Sequence, residues 1–191
     1  DIPGINESLV GNIEGAQAIN PDIKVSTSYV GSFTDTAKAK ENALLLYNSG
    51  LSVIFAAAGQ SGLGVIDAAV EQGKFVIGVD SDQAEALKDS QPDMAAVIIT
   101  SAIKNISDNA VKAVDRAMKG EIPYGTREVF GLADGAVGIA ENEFYDQLLS
   151  EEDRAQIEEL KQKVIDGEVE MTPTEGITTE KINEIREAVR P

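Results

Sequence analysis

The chain has 191 residues, 42 % of them hydrophobic, enough for the core of one domain of ordinary size or slightly more. Its 33 acids against 16 bases give a net charge of −17, which repels phosphate backbones and anionic lipid surfaces, so no nucleic-acid partner is expected. With no Cys and no His, it has no thiol nucleophile, no thiolate or imidazole metal ligand, no His general base and no disulfide.

Residues 6–19 predict a helix, with Leu9, Ile13 and Ala16 on one face, broken by Asn20-Pro21-Asp22. Residues 23–30 (IKVSTSYV) form a β-rich run and the first predicted strand. A helix over 35–48 follows, with Ala39, Ala43 and Leu46 on one face and Gly50 as its stop. The cycle repeats with a strand at 52–57, the loop AGQSGLG, and a helix to Gln72 ended by Gly73. The third strand is KFVIGV. A loop and short helix lead to Pro92, and a fourth strand is expected at 94–100. Ile103, Ile106, Ala110, Val114 and Ala117 then recur at helical spacing up to Gly120. A fifth strand is expected at 127–132 and a further short one at 136–140.

This alternation predicts an α/β fold, doubly wound around a mostly parallel sheet, because right-handed crossovers place helices on both faces. The texture changes after residue 143. Ser150 precedes Glu-Glu-Asp as a helix N-cap, Ile157, Leu160 and Val164 make a narrow stripe, and a last amphipathic helix spans about 179–189. Two domains are therefore expected, a ligand-binding lobe over 1–143 and a helical tail over 144–191 that packs on the lobe or on a partner. No apolar run is long enough for a membrane span, and no basic-then-apolar leader stands at the start. The expectation is a cytosolic chain, or a mature or truncated form of an exported one.

In open parallel sheets, ligands bind beyond the carboxyl ends of the strands. The segments expected there are Gly31-Ser32-Phe33-Thr34-Asp35, Gly59-Gln60-Ser61-Gly62, Asp80-Ser81-Asp82-Gln83 and Ser101-Ala102-Ile103-Lys104-Asn105. On one rim they would offer an aromatic face, open backbone amides, carboxylates and an ammonium, a set suited to a flat, hydroxylated, neutral ligand. Each also has a plainer reading. Asp35 and Asp82 suit helix N-caps, GQSGLG does not match the dinucleotide pattern, and Phe33 could fold back on the core. Asp80 sits directly at a strand tip, and Lys104 at a helix start opposes the helix dipole.

At these loops the sequence resembles the basic membrane protein family, the purine-nucleoside-receptor-like substrate-binding lipoproteins of bacterial ABC importers. The resemblance is carried by NPDIKVSTSYVGSFTDTAKAKENALLLYNSG, VIFAAAGQSGLGVIDAA, FVIGVDSDQ and TSAIKNI, in the family's order, from about Gly4 to Gly138. It implies one lobe of a type I periplasmic-binding-protein fold. It further implies that Phe33 stacks on a nucleobase, the Gly59 loop approaches the ligand, Asp80 takes the ribose hydroxyls, Lys104 contacts the sugar side, and Asp82 is the second choice for the hydroxyls. It implies no catalytic residue, metal or cofactor. The partners would be a nucleoside, an ABC permease, and the missing N-terminal lobe or a second copy. The full-length form would be an extracytoplasmic, membrane-anchored lipoprotein whose anchor lies outside this sequence.

Two other classes compete. Asp80-Ser81-Asp82 after an apolar strand is similar to the opening of haloacid-dehalogenase-like phosphatases, where two acids hold Mg²⁺. That motif usually lies near a chain start and is not followed by Gln83-Ala84. An interaction domain without a ligand is the third reading.

Overall fold

The computed structural model describes residues 2–191; residue 1, the first of the expected 1–143 lobe, lies outside them. In chain order the described residues form α1 (Pro3–Ile19), α2 (Thr36–Asn48), β1 (Val53–Phe55), a 3-10 turn (Gly59–Ser61), α3 (Gly62–Gln72), β2 (Phe75–Asp80) and α4 (Gln83–Leu87). They continue with α5 (Pro92–Ala95), β3 (Ile98–Lys104), α6 (Ile106–Lys119), β4 (Val137–Ile139), α7 (Glu143–Leu148), α8 (Glu151–Ile165) and α9 (Thr179–Ala188). The expected α/β class is thus realised. The chain divides into two compact units, one comprising the chain up to Phe75 with Val169–Pro191, the other Val76–Glu168. The stretch expected as a tail is divided between them.

In the first unit, Asp35 caps α2 by accepting the Lys38 N–H at 2.9 Å, one of the donors a helix start leaves unpaired. Ala39, Ala43 and Tyr47 on α2 are buried, as are Val65, Ile66, Ala68 and Ala69 on α3, and the two helices pack together. Small residues permit a close approach: a Cβ at Gly64 would run into the Thr36 carbonyl. Lys40 of α2 pairs with Asp67 and Glu71, one turn apart on α3, at 2.8 and 3.0 Å. Gly73 ends α3 in the left-handed conformation at φ 59°. The buried Tyr47 hydroxyl donates to the Phe75 carbonyl at 2.8 Å, and burial pushes its phenol pKa up. The helices α1 and α9 also meet in this unit, where Val10, Ile13 and Ile182 are buried.

The strand expected at 23–30 does not form, and that at 52–57 narrows to Val53–Phe55. Around 23–30 the backbone bonds are single ones: the Val25 N–H donates to Val189 and the Tyr29 carbonyl accepts from Asn42. High β-propensity becomes a strand only where a neighbour supplies a ladder.

In the second unit β2, β3 and β4 lie side by side. β2 and β3 are parallel, with Gly78 opposite Ser101 and Asp80 opposite Ile103. β4 is an antiparallel edge, with Lys104 opposite Val137. The strand expected at 94–100 is displaced. Pro92 opens α5, a position where its missing N–H is no loss, and the strand runs instead from Ile98 to Lys104. Ser101-Ala102-Ile103-Lys104 therefore belong to a strand and not to a loop after one. No strand forms at 127–132 either. There Glu128 takes a two-pronged bond from Arg116 of α6, at 2.9 and 3.0 Å, and Gly131 donates to Asp134. The short strand expected at 136–140 is β4. Ser150 caps α8 in a reciprocal box with Asp153, whose carboxyl pKa is held down by the hydrogen bonds it accepts from the Ser150 hydroxyl and the Ser150 N–H.

Replacing a helical Gly by Ala ordinarily gains about 1 kcal/mol. At Gly64 the added Cβ meets backbone, and overpacking of that kind costs about 1–3 kcal/mol. Gly64→Ala is expected to lower the thermal midpoint followed by circular dichroism. A raised midpoint would show that α2 and α3 part freely.

Candidate ligand-binding site

Parallel pairing puts the carboxyl ends of β2 and β3 on one edge, so their last residues, Asp80 and Lys104, are neighbours. Lys104 Nζ donates to Asp80 Oδ1 at 2.9 Å. Both side chains are more than half exposed, so the pair contributes little to stability and water or a ligand can replace it.

The backbone beneath the pair is unusual. Asp80 has φ 70°, the one non-glycine with positive φ among the described residues. The Ser81 N–H donates to the Val79 carbonyl at 2.8 Å, which closes a three-residue γ-turn around Asp80. Such a conformation costs an L-residue about 1–2 kcal/mol and persists only where its surroundings enforce it. Here they do. Gln83 Oε1 accepts the Val79 N–H at 3.0 Å, and the Gln83 N–H donates to Oγ of the fully buried Ser101 at 3.2 Å. Gly78 lies beside both, and a Cβ there would strike the Gln83 and Ser101 side chains.

Asp82 faces another task. It caps α4 by accepting the Glu85 N–H at 3.1 Å, and both its oxygens accept from Asn142 Nδ2 at 2.8 and 2.9 Å. Asn142 Oδ1 in turn accepts from Phe144 and Tyr145 at the start of α7. Two helix caps are thereby clasped together, 60 residues apart in sequence.

In the first unit, Phe33 and Gly59 come together. Gly59 has φ 58°, and a Cβ there would lie 3.3 Å from Phe33 Cδ1. Ser61, buried, donates its N–H to the Phe33 carbonyl at 3.0 Å and its hydroxyl to the Ser32 carbonyl at 2.9 Å. The loop is held by these bonds while Phe33 stays 47 % exposed.

The structure thus pairs Asp80 with Lys104 and Phe33 with Gly59, and turns Asp82 toward Asn142. Ser101 entered the sequence reading only as part of an expected rim loop, and Asn142 was not singled out at all. Asn142 carried a signal, since an Asn followed by acids and an apolar pair suits an N-cap. Among the described residues no group of three or more Asp and Glu side chains is placed to hold a metal ion, and no helix is long and apolar enough to cross a membrane.

The family model described as ABC transporter substrate-binding protein PnrA-like (Bmp) matches residues 1–175. The chain belongs to the Bmp family. Among its curated relatives is the CD4+ T-cell-stimulating antigen of Listeria monocytogenes, 32 % identical over 184 residues, 89 % of this chain and 51 % of the relative. Basic membrane protein A of Borreliella burgdorferi is 33 % identical over 81 % of this chain and 44 % of its own length. The ABC transporter nucleoside-binding protein BmpA of Lactococcus lactis is 33 % identical over 83 % of this chain and 47 % of its own. This Bmp chain therefore spans about half the length of the curated relatives it matches. Its fold is that of solute-binding proteins of ABC transporter systems from Aeropyrum pernix, TM-score 0.74 at 23 % identity over 99 % of this chain and 61 % of that one, and from Conexibacter woesei, TM-score 0.71 at 22 % identity over 91 % and 55 %. The Bmp family is described as substrate-binding, which at family level supports a binding protein over the phosphatase-like reading.

Asp82→Ala removes a cap and leaves the Asn142 amide without its acceptor. A loss of about 1–2 kcal/mol is expected, larger than for Asp35→Ala, which removes a cap alone. Urea unfolding of the two variants checks this, and equal losses would show that the Asn142 clasp contributes nothing.

Proposed function

We propose that this chain is part of the solute-binding component of a bacterial ABC importer and that its solute is a nucleoside, a purine nucleoside before others. The observation that carries the reading is Asp80, a carboxylate displayed at a strand tip by an enforced turn, with Lys104 beside it. An ionised carboxylate only accepts hydrogen bonds, so it matches a vicinal diol that donates twice. Among the described residues, Asp80 Oδ2 has no protein donor, and its Oδ1 partner is an exposed ammonium that can move to the sugar side. The oxygens of Asp82 are already engaged, so it stands second for the hydroxyls. A nucleoside also has a flat base. Phe33, held by its backbone with an exposed ring, suits stacking, and the open backbone at Gly59 suits a close approach. The relative named as nucleoside-binding supports the same ligand class.

In this reading the further partners are a transporter permease and the remainder of the family fold, or a second copy in its place. The full-length protein acts outside the cytoplasm as a membrane-anchored lipoprotein.

A thermal-shift screen of nucleosides at high concentration detects weak binding, because stabilisation grows with the logarithm of ligand over Kd. Hydrogen bonds to a charged group are worth about 1.5–3 kcal/mol. Asp80→Gly, which removes the carboxylate but keeps a residue at ease with positive φ, is therefore expected to weaken ribonucleoside binding roughly ten- to a hundredfold. A 2′-deoxynucleoside should lose part of that on the intact protein and almost none on the variant, measured as a calorimetric double cycle. Equal losses for both ligands would show that Asp80 does not read the diol.

A further inference from the structure

The bonds that hold the Asp80 turn are not the ones that hold the elements on either side of it. β2 and β3 pair through their own register from Val76 to Asp80, and α4 has Asp82 as its cap. Gln83 and Ser101 act between those elements. The Ser101 hydroxyl, fully buried, accepts the Gln83 N–H at 3.2 Å, and Gln83 Oε1 accepts the Val79 N–H at 3.0 Å. An N–H needs an acceptor, so the oxygen of the Gln83 amide, and not its nitrogen, faces Val79. The end of β2 is thus tied to a side chain four residues further on, and the left-handed Asp80 lies inside the tie. Gly78 makes room for it, since a Cβ there would strike the Gln83 and Ser101 side chains. A buried hydroxyl carries a desolvation cost that an alanine in the same strand would not.

We propose that Gln83 and Ser101, with the space left by Gly78, are positioning residues of the solute site. They set the affinity for a vicinal diol, and the preference for ribose over deoxyribose, by way of Asp80 and not by contacts of their own. The proposal rests on the reading of Asp80 as the diol acceptor. Its side chain is held only by the exposed Lys104, so the backbone decides where the carboxylate points. Released from the tie, an L-residue leaves the left-handed region, a change in φ of roughly 130° or more. That swings the carboxylate away from its present direction, and hydrogen bonds weaken steeply once their angle is lost. A diol that meets both oxygens in the held turn would then keep at most one good bond.

Calorimetry with adenosine and 2′-deoxyadenosine on the full chain tests this. Gln83→Met keeps the length of the side chain and removes the acceptor. It is expected to weaken adenosine binding about tenfold, the worth of one of the two hydrogen bonds, and 2′-deoxyadenosine binding less. In an Asp80→Gly background the same change should alter neither affinity, because no carboxylate is left to place. Ser101→Ala and Gly78→Ala should act like Gln83→Met. Ser150→Ala, which uncaps α8, should lower stability and leave both affinities unchanged. A second cycle needs no ligand. Glycine is at ease with positive φ, so Asp80→Gly should shift the thermal midpoint about 2–4 °C more favourably in the intact chain than in Gln83→Met, where the turn is already released. The unfolded-state entropy of the added glycine cancels in that difference. Equal shifts in the two backgrounds overturn the proposal, whatever binds. So does an adenosine affinity indifferent to Gln83→Met, or a Gln83→Met loss that persists in Asp80→Gly, which would make Gln83 a contact. If adenosine fails to bind the intact chain, the nucleoside reading falls, and the thermal cycle alone decides whether Gln83 and Ser101 place Asp80.

Discussion

The buried hydroxyl of Ser101 is the constraint on which the end of β2 depends. It accepts the Gln83 N–H, and this fixes where Gln83 stands. Gln83 then returns its side-chain oxygen to the Val79 N–H, while Gly78 leaves the space both side chains need. With Val79 and Gln83 pinned, the residues between them have to cross a short gap, and Asp80 takes the left-handed conformation as a result. A buried polar group demands a partner, and satisfying this one sets the direction of an exposed carboxylate three residues upstream of Gln83. Register does the rest: Ser101 lies opposite Gly78, so a slip of one residue would turn its hydroxyl away from Gln83.

The two acids of Gly78-Val79-Asp80-Ser81-Asp82-Gln83 illustrate how much of the site the sequence made legible. That one of them caps a helix follows from its position before Gln83-Ala84-Glu85, and Asp82 does so. That the other lies at a strand tip follows from the apolar run before it. The Asn142 amide that occupies both oxygens of Asp82 comes from a distant stretch with no local link to it, and only the folded unit brings it near. Lys104 was legible as a neighbour of the rim but was placed in a loop. It ends a strand, because β2 on one side and β4 on the other extend the ladder through Ser101-Ala102-Ile103.

Helices were read more faithfully than strands for a physical reason. A helix makes its backbone bonds within itself, so its limits are written locally, by Asp35, Gly73, Gly120 and Ser150. A strand's bonds lie with another segment, so residues 23–30 and 127–132, each rich in β-formers, remain outside the sheet where no ladder reaches them. The pattern in α6 shows the same limit at the next level. Its periodicity fixes which face is apolar, but not what covers that face. In this chain Arg116, Lys112 and Asn109 tie the polar face to residues 128–136, and the apolar face is left exposed.

The contrast between Asp80 and Asp82 bears on what a reversible binder requires. For Asp82 to meet a ligand, it would have to give up two bonds to Asn142 and a helix cap, and would leave a part-buried amide unpaired. For Asp80 the exchange is small, since its protein partner is one exposed ammonium that water can solvate equally well. Its backbone cost has already been met by folding, through Gln83 and Ser101, so no reorganisation remains for the moment of binding. A carboxylate lightly held at its oxygens and tightly held at its backbone would give up little to an incoming hydrogen-bond donor, which is what the proposed diol contact requires.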